Sequence, residues 1–177
     1  MSAAATELLL ARGADEIRHP GGTLFEHLRR VHATLDAWGA RPELRLAGLC
    51  HAFYGTDGFA VPLGGIDRRP ELAEVIGDEA ERLVHLYARC DRARTYPGLG
   101  EPGGLFVDRF SGTPLVLSPG ERRDFAELTV ANELDVLRYA GGEADPSQFA
   151  PLLELFTSWG PLLSAPARRA VHRARRT

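Results

Sequence analysis

A chain of 177 residues, 44% of them hydrophobic, carries enough apolar material for one domain with a sizeable core. Its formal charge of −3 and the lack of a basic stripe interleaved with aromatics argue against a nucleic-acid partner. Cys50 and Cys90 have neither metal spacing nor a disulfide framework. No basic leader or membrane-length apolar run is present, so a cytoplasmic protein with reduced thiols and no membrane partner is expected.

Helical periodicity dominates the chain from its start. Residues 4–12 read as an amphipathic helix, and Thr23 is placed to cap a second one whose stripe is Phe25, Leu28, Val31, Leu35 and Trp38. A third helix is expected over about 42–53, ending in the glycine-bearing segment LCHAFYGTDGFA. Helices follow over about 71–76 and 78–92, and YPGLGEPGG reads as a loop. LFVDRFSGTPLVLS contains two β-type runs around a Ser-Gly turn, which predicts a small hairpin over Leu105–Leu117. PGERRDFAELTVANELDVLRYAGG, with proline and acids first and Gly-Gly last, predicts a helix of about five turns. A last pair is expected over Pro146–Trp159 and from Ala165 onward, and the terminal RRAVHRARR reads as a solvated basic face.

Polar residues on apolar helix faces are the candidates for chemistry. Cys50 beside His51 is not a good nucleophile and base, because helical neighbours project about 100° apart, so Cys50 reads as core. His27 and His51 differ, because each lies on an apolar helix and the two helices are consecutive. An antiparallel pair would bring the imidazoles to one point, as helical bundles do when they build metal or acid–base sites. A further contributor is expected from VANELD, where Leu128, Asn132, Asp135 and Tyr139 share a stripe and Glu133 points elsewhere. The alternative is a set of hydrogen-bonded core polar groups.

RHPGGTLFEHL, LRLAGLCHAFYGTDGF and TVANELDVL resemble the three metal-site segments of the HD-domain superfamily, particularly the hydrolase domains that cleave ppGpp. The resemblance spans about residues 15–140 and also extends to an uncharacterised bacterial family sharing the HAFYGT and ANE segments. It implies a mainly α, HD-domain-like helical bundle with one small β-hairpin. That would be a single domain over 1–177, with helices 146–177 packed on the core. His27, His51 and Asn132 fall on the family's ligand positions, and Arg18 and His19 fall where those hydrolases hold the nucleotide.

The departures bear directly on activity. Ala52 stands where the family has the Asp of its His-Asp pair, Gly55 and Thr56 stand where the hydrolases have two acids, and Asn132 replaces a fourth. Removing carboxylates removes the negative charge a hard divalent cation relies on. Two imidazoles can still hold Zn, Fe, Mn or Ni if Asp57, Asp91, Glu133 or Asp135 supplies a third ligand.

The resulting expectation is a small-molecule enzyme using His27 and His51 for acid–base chemistry. Tyr54, Thr56, Asn132, Asp135, Arg18 and His19 would hold the substrate. The hairpin would flank the cleft, with Asp108 or Arg109 near its mouth. The alternatives are a metal-dependent HD-type phosphohydrolase or oxygenase with substituted ligands, and a ligand-binding domain without catalysis.

Overall fold

Apolar residues at helical spacing decide the architecture. The structure is a computed structural model and describes residues 2–139 and 149–176. It is mainly helical with two small antiparallel sheets.

Helix α1 (Ala3–Ala11) buries Ala5 and Leu9. Strand β1 (Arg18–His19) pairs with β2 (Gly22–Thr23) around Pro20-Gly21. Gly21 takes φ +77, which a turn with proline first and glycine second requires. The sequence reading expected one hairpin and missed this one, because two-residue strands have no alternation to read.

Thr23 begins α2 (Leu24–Ala37) with a capping box. Its Oγ1 accepts the Glu26 N–H, and Glu26 Oε2 accepts the Thr23 N–H at 2.8 Å. The face that α2 buries carries Leu24, Leu28, Val31 and Leu35, with His27 among them.

Helix α3 (Pro42–Cys50) starts with proline at its first position and lies against α2. Gly48 permits the close approach, since a Cβ there would run into Leu35 Cδ1. Helices α4 (Arg69–Ile76) and α5 (Asp78–Ala88) follow, and α5 packs on α3.

The expected helix over 78–92 stops at Ala88, and α6 (Arg92–Leu99) begins after a β-bridge between Cys90 and Asp108. Asp91 caps α6 by accepting the Arg94 N–H at 3.0 Å. Part of the expected loop YPGLGEPGG is therefore helical, and Pro97 lies inside that helix. The predicted hairpin forms as β3 (Phe106–Val107) against β4 (Pro114–Leu115).

Helix α7 (Pro119–Tyr139) packs on α2, α3 and α5 and is buried along most of its middle, from Phe125 to Asn132. Helices α8 (Ala150–Ser158) and α9 (Ala165–Ala174) pack on each other, and α9 also meets α7. The expected start at Pro146 lies outside the described residues. Ala167 and Val171 anchor α9, and its arginines occupy the solvent side. Among the described residues, no helix is long and apolar enough to cross a membrane.

Candidate functional site

The packing of α2, α3 and α7 brings three polar side chains together. His27 from α2 and His51, the residue that ends α3, place their Nε2 atoms 3.4 Å apart. Asn132 from α7 puts Oδ1 2.9 Å from His27 Nε2. Both imidazoles are almost completely buried, at 1% and 2% exposure.

Each ring is fixed from behind. His27 Nδ1 meets Asp135 Oδ2 at 2.7 Å, and Arg30 grips both Asp135 oxygens. Arg30 also donates to the carbonyls of Pro20 and Gly21 and stacks on Tyr139, tying α7 to the β1–β2 turn. Burial raises the Asp135 pKa, but the bonds from His27 and Arg30 outweigh it and hold the carboxyl below its ordinary value. His51 Nδ1 donates to the Gly48 carbonyl at 2.8 Å, which occupies one of the free acceptors at the end of α3.

These outer bonds decide what faces the cleft. With Nδ1–H of His27 given to a carboxylate and Nδ1–H of His51 given to a carbonyl, both Nε2 lone pairs point toward each other. Asn132 donates Nδ2 to Glu133 at 3.0 Å, so its oxygen is also turned to His27. Three acceptors therefore converge, and one electrophile, a proton or a cation, is needed among them. Burial first, then the charge of His27, pushes His51 down to about 3. His19 stacks on His27 with centroids 4.0 Å apart and is lowered to about 4, chiefly by burial. His51 is thus a neutral acceptor at physiological pH.

A cavity of about 190 Å³ opens onto this cluster. His19, His27, His51, Thr56, Asn132 and Glu133 line it together with Gly58, Phe59 and Arg92. A larger groove of about 400 Å³ lies at Arg41, but that arginine is already paired with Glu79 and Asp124.

Several expected contributors sit elsewhere. Tyr54 gives its hydroxyl to Glu81, which Arg69 clamps, so it belongs to a buried network outside the cleft. Arg109 is not at the mouth either. Its Nε donates to the Ala88 carbonyl at 2.5 Å and its guanidinium lies over Phe110. Asp108 is held by Arg89 and Ser111. Arg18 is exposed and does not line the cavity. Asp135 supports His27 from behind and does not line the cavity.

The suggested third metal ligands are engaged by other groups. Asp57 accepts the Arg92 N–H, Asp91 caps α6, and Glu133 pairs with Arg92. Among the described residues, no group of three or more His, Cys, Asp or Glu side chains is placed to hold a metal ion. Glu133 does reach the cleft, contrary to the ideal-helix expectation. Burial pushes the Cys50 thiol up to about 12, in keeping with a core residue and not a nucleophile.

Sequence reasoning missed Arg92. It was read as the last residue of the helix over 78–92 but starts α6, and its place depends on Asp57, 35 positions earlier in the chain. The available signal was the Asp91 cap.

Residues 8–92 match the family described as a domain of unknown function, DUF6817. That segment, just under half of the chain, includes His19, His27, His51 and Arg92, while Asn132, Glu133 and Asp135 lie beyond it. No curated protein and no solved structure matches the chain.

Proposed function

We propose that the His27 cleft is the active site of a small-molecule enzyme that works by acid–base chemistry. The observation carrying this reading is the Asp135–His27 pair. A carboxylate behind Nδ1 fixes the tautomer, turns Nε2 toward the cavity and Asn132, and stabilises the positive charge the ring gains on taking a proton. His27 moves the proton. His51 accepts a hydrogen bond from the bound molecule, and Asn132 orients it. The resemblance of the RHPGGTLFEHL, LRLAGLCHAFYGTDGF and TVANELDVL segments to HD domains supports a reactive cleft here.

Turnover of a panel of small phosphate esters and carboxylic acids by the full chain, purified without a histidine tag, tests the reading. Activity that falls by about 100-fold or more in His27→Gln, with the fold retained, is expected. Turnover that survives His27→Gln would overturn it.

A second reading rests on the 3.4 Å between the Nε2 atoms. One cation bound at about 2 Å to each nitrogen in tetrahedral geometry would impose such a span. His27, His51 and Asn132 Oδ1 would hold it, and Zn, Ni, Fe or Mn would supply Lewis acidity. Stoichiometric metal in the tag-free protein, lost in His51→Ala, would favour this reading. Metal-free protein with full turnover would remove it.

A further inference from the structure

Arg92 faces the same cavity as the histidines and has no part in the acid–base reading. It is placed with care. Its backbone N–H donates to Asp57 Oδ2 at 2.9 Å, and its Nη1 donates to Glu133 Oε1 at 2.7 Å. The guanidinium also lies against Gly58, where a Cβ would come within 2.6 Å of Nη1 and 2.9 Å of Cζ. Gly58 provides the floor on which Arg92 rests.

The pairing with Glu133 is incomplete. Elsewhere in this chain arginine meets carboxylate fork to fork: Arg69 donates Nε and Nη2 to the two oxygens of Glu81 at 2.7 and 2.8 Å. Arg30 likewise donates to both oxygens of Asp135. Glu133 offers Arg92 one oxygen, and that oxygen also takes the Asn132 amide. Among the described residues, no side-chain or backbone acceptor meets Arg92 Nε or Nη2. A guanidinium in a partly buried site with two donors to spare fits a second oxyanion.

We infer that Arg92 anchors a carboxylate or phosphate group of the molecule bound in this cleft, with Gly58 and Glu133 as positioning residues. The inference rests on the cleft being a small-molecule site and names the chemical class that site takes. Arg92, His27 and His51 line the same cavity, so an anion held by Arg92 shares that cavity with the two imidazoles. Glu133 keeps the guanidinium in the cleft and competes with the incoming oxyanion.

Titration of the full chain with inorganic phosphate and, separately, with acetate tests this, read by calorimetry and by the NMR signal of Arg92 Nε–H. At least one anion is expected to bind saturably and shift that signal, and the tighter of the two identifies the group. Arg92→Gln should weaken binding by about 10-fold or more. Gly58→Ala displaces the guanidinium without changing charge, so it should also weaken binding, and it keeps the test valid if Arg92→Gln does not fold. Glu133→Gln, which removes the competing carboxylate, should tighten binding. Saturable binding of neither anion, or affinities unchanged in Gly58→Ala and Glu133→Gln, would overturn the inference. Anion binding that persists in His27→Gln together with undiminished turnover would remove the acid–base reading and leave the anchor standing.

Discussion

The Gly48 carbonyl accepts the Nδ1–H of His51 at 2.8 Å, so the residue that ends α3 is fixed by the helix it ends. This bond alone would favour the protonated ring, but full burial outweighs it and keeps the ring neutral, with consequences for pH. His51 is pushed down to about 3 by burial and then by His27, whereas the unfolded chain protonates it near its ordinary value. The unfolded state therefore binds the extra proton, and stability present above about pH 6.5 is lost as the pH falls toward about 3. His19, lowered to about 4, acts in the same direction. Denaturant unfolding at pH 7, 6, 5 and 4 should show a decline of up to about 1.4 kcal/mol per unit from His51. The decline should be shallower in His51→Gln, and equal slopes would contradict the burial argument.

Gly48 has a second role, in the spacing of α2 and α3. In an ordinary helix, Gly→Ala stabilises by about 1 kcal/mol. Here the added methyl would strike Leu35 Cδ1. Gly48→Ala should instead destabilise by about 1–3 kcal/mol and loosen the His27–His51 contact. Leu35→Ala in the same background should recover part of the loss, and a more stable Gly48→Ala single variant would show that the interface tolerates the methyl.

Tyr96 points to a gain. Its hydroxyl is buried with no hydrogen-bond partner among the described residues, while its ring packs edge-on against Trp159. Removing an unsatisfied buried hydroxyl while keeping the ring relieves its desolvation cost. Tyr96→Phe should raise the melting temperature, by an amount equivalent to about 1 kcal/mol or more. A lower melting temperature would indicate that the hydroxyl has a partner.

Asp135 links the two halves of the site. Asp135→Asn removes the carboxylate that fixes His27 and the bidentate partner of Arg30. A stability loss of about 1–3 kcal/mol is expected. Turnover should fall further than in Arg30→Lys, which keeps the carboxylate against His27. Equal effects of the two substitutions would reduce Asp135 to a structural role.

Features set by local pattern were legible in the sequence. The cap at Thr23, the starts of α3 and α7, and the meeting of His27 with His51 follow from helical spacing and from two apolar helices being consecutive, whereas α3 ends at Cys50, short of the expected Phe53. Features set by distant contacts were not. Arg92 reaches the cleft because Asp57 and Glu133 hold it there. Tyr54 and Arg109 leave the site because Glu81 and the Ala88 carbonyl claim them first. Glu133 reaches the cavity because Arg92 and Asn132 meet it on that side, which helical phase alone did not indicate.

The outer bonds of His27 and His51 turn both Nε2 atoms toward one cavity. Long-range 1H–15N correlation NMR of the protein labelled at histidine, at pH 7, reads this directly. The expected spectrum has a neutral His51 protonated on Nδ1, a His27 with its Nδ1 protonated against Asp135, and Nε2 resonances that move when a cleft ligand is added. A bare Nδ1 on either ring, or Nε2 resonances unmoved by a ligand whose binding requires the cleft, would contradict it.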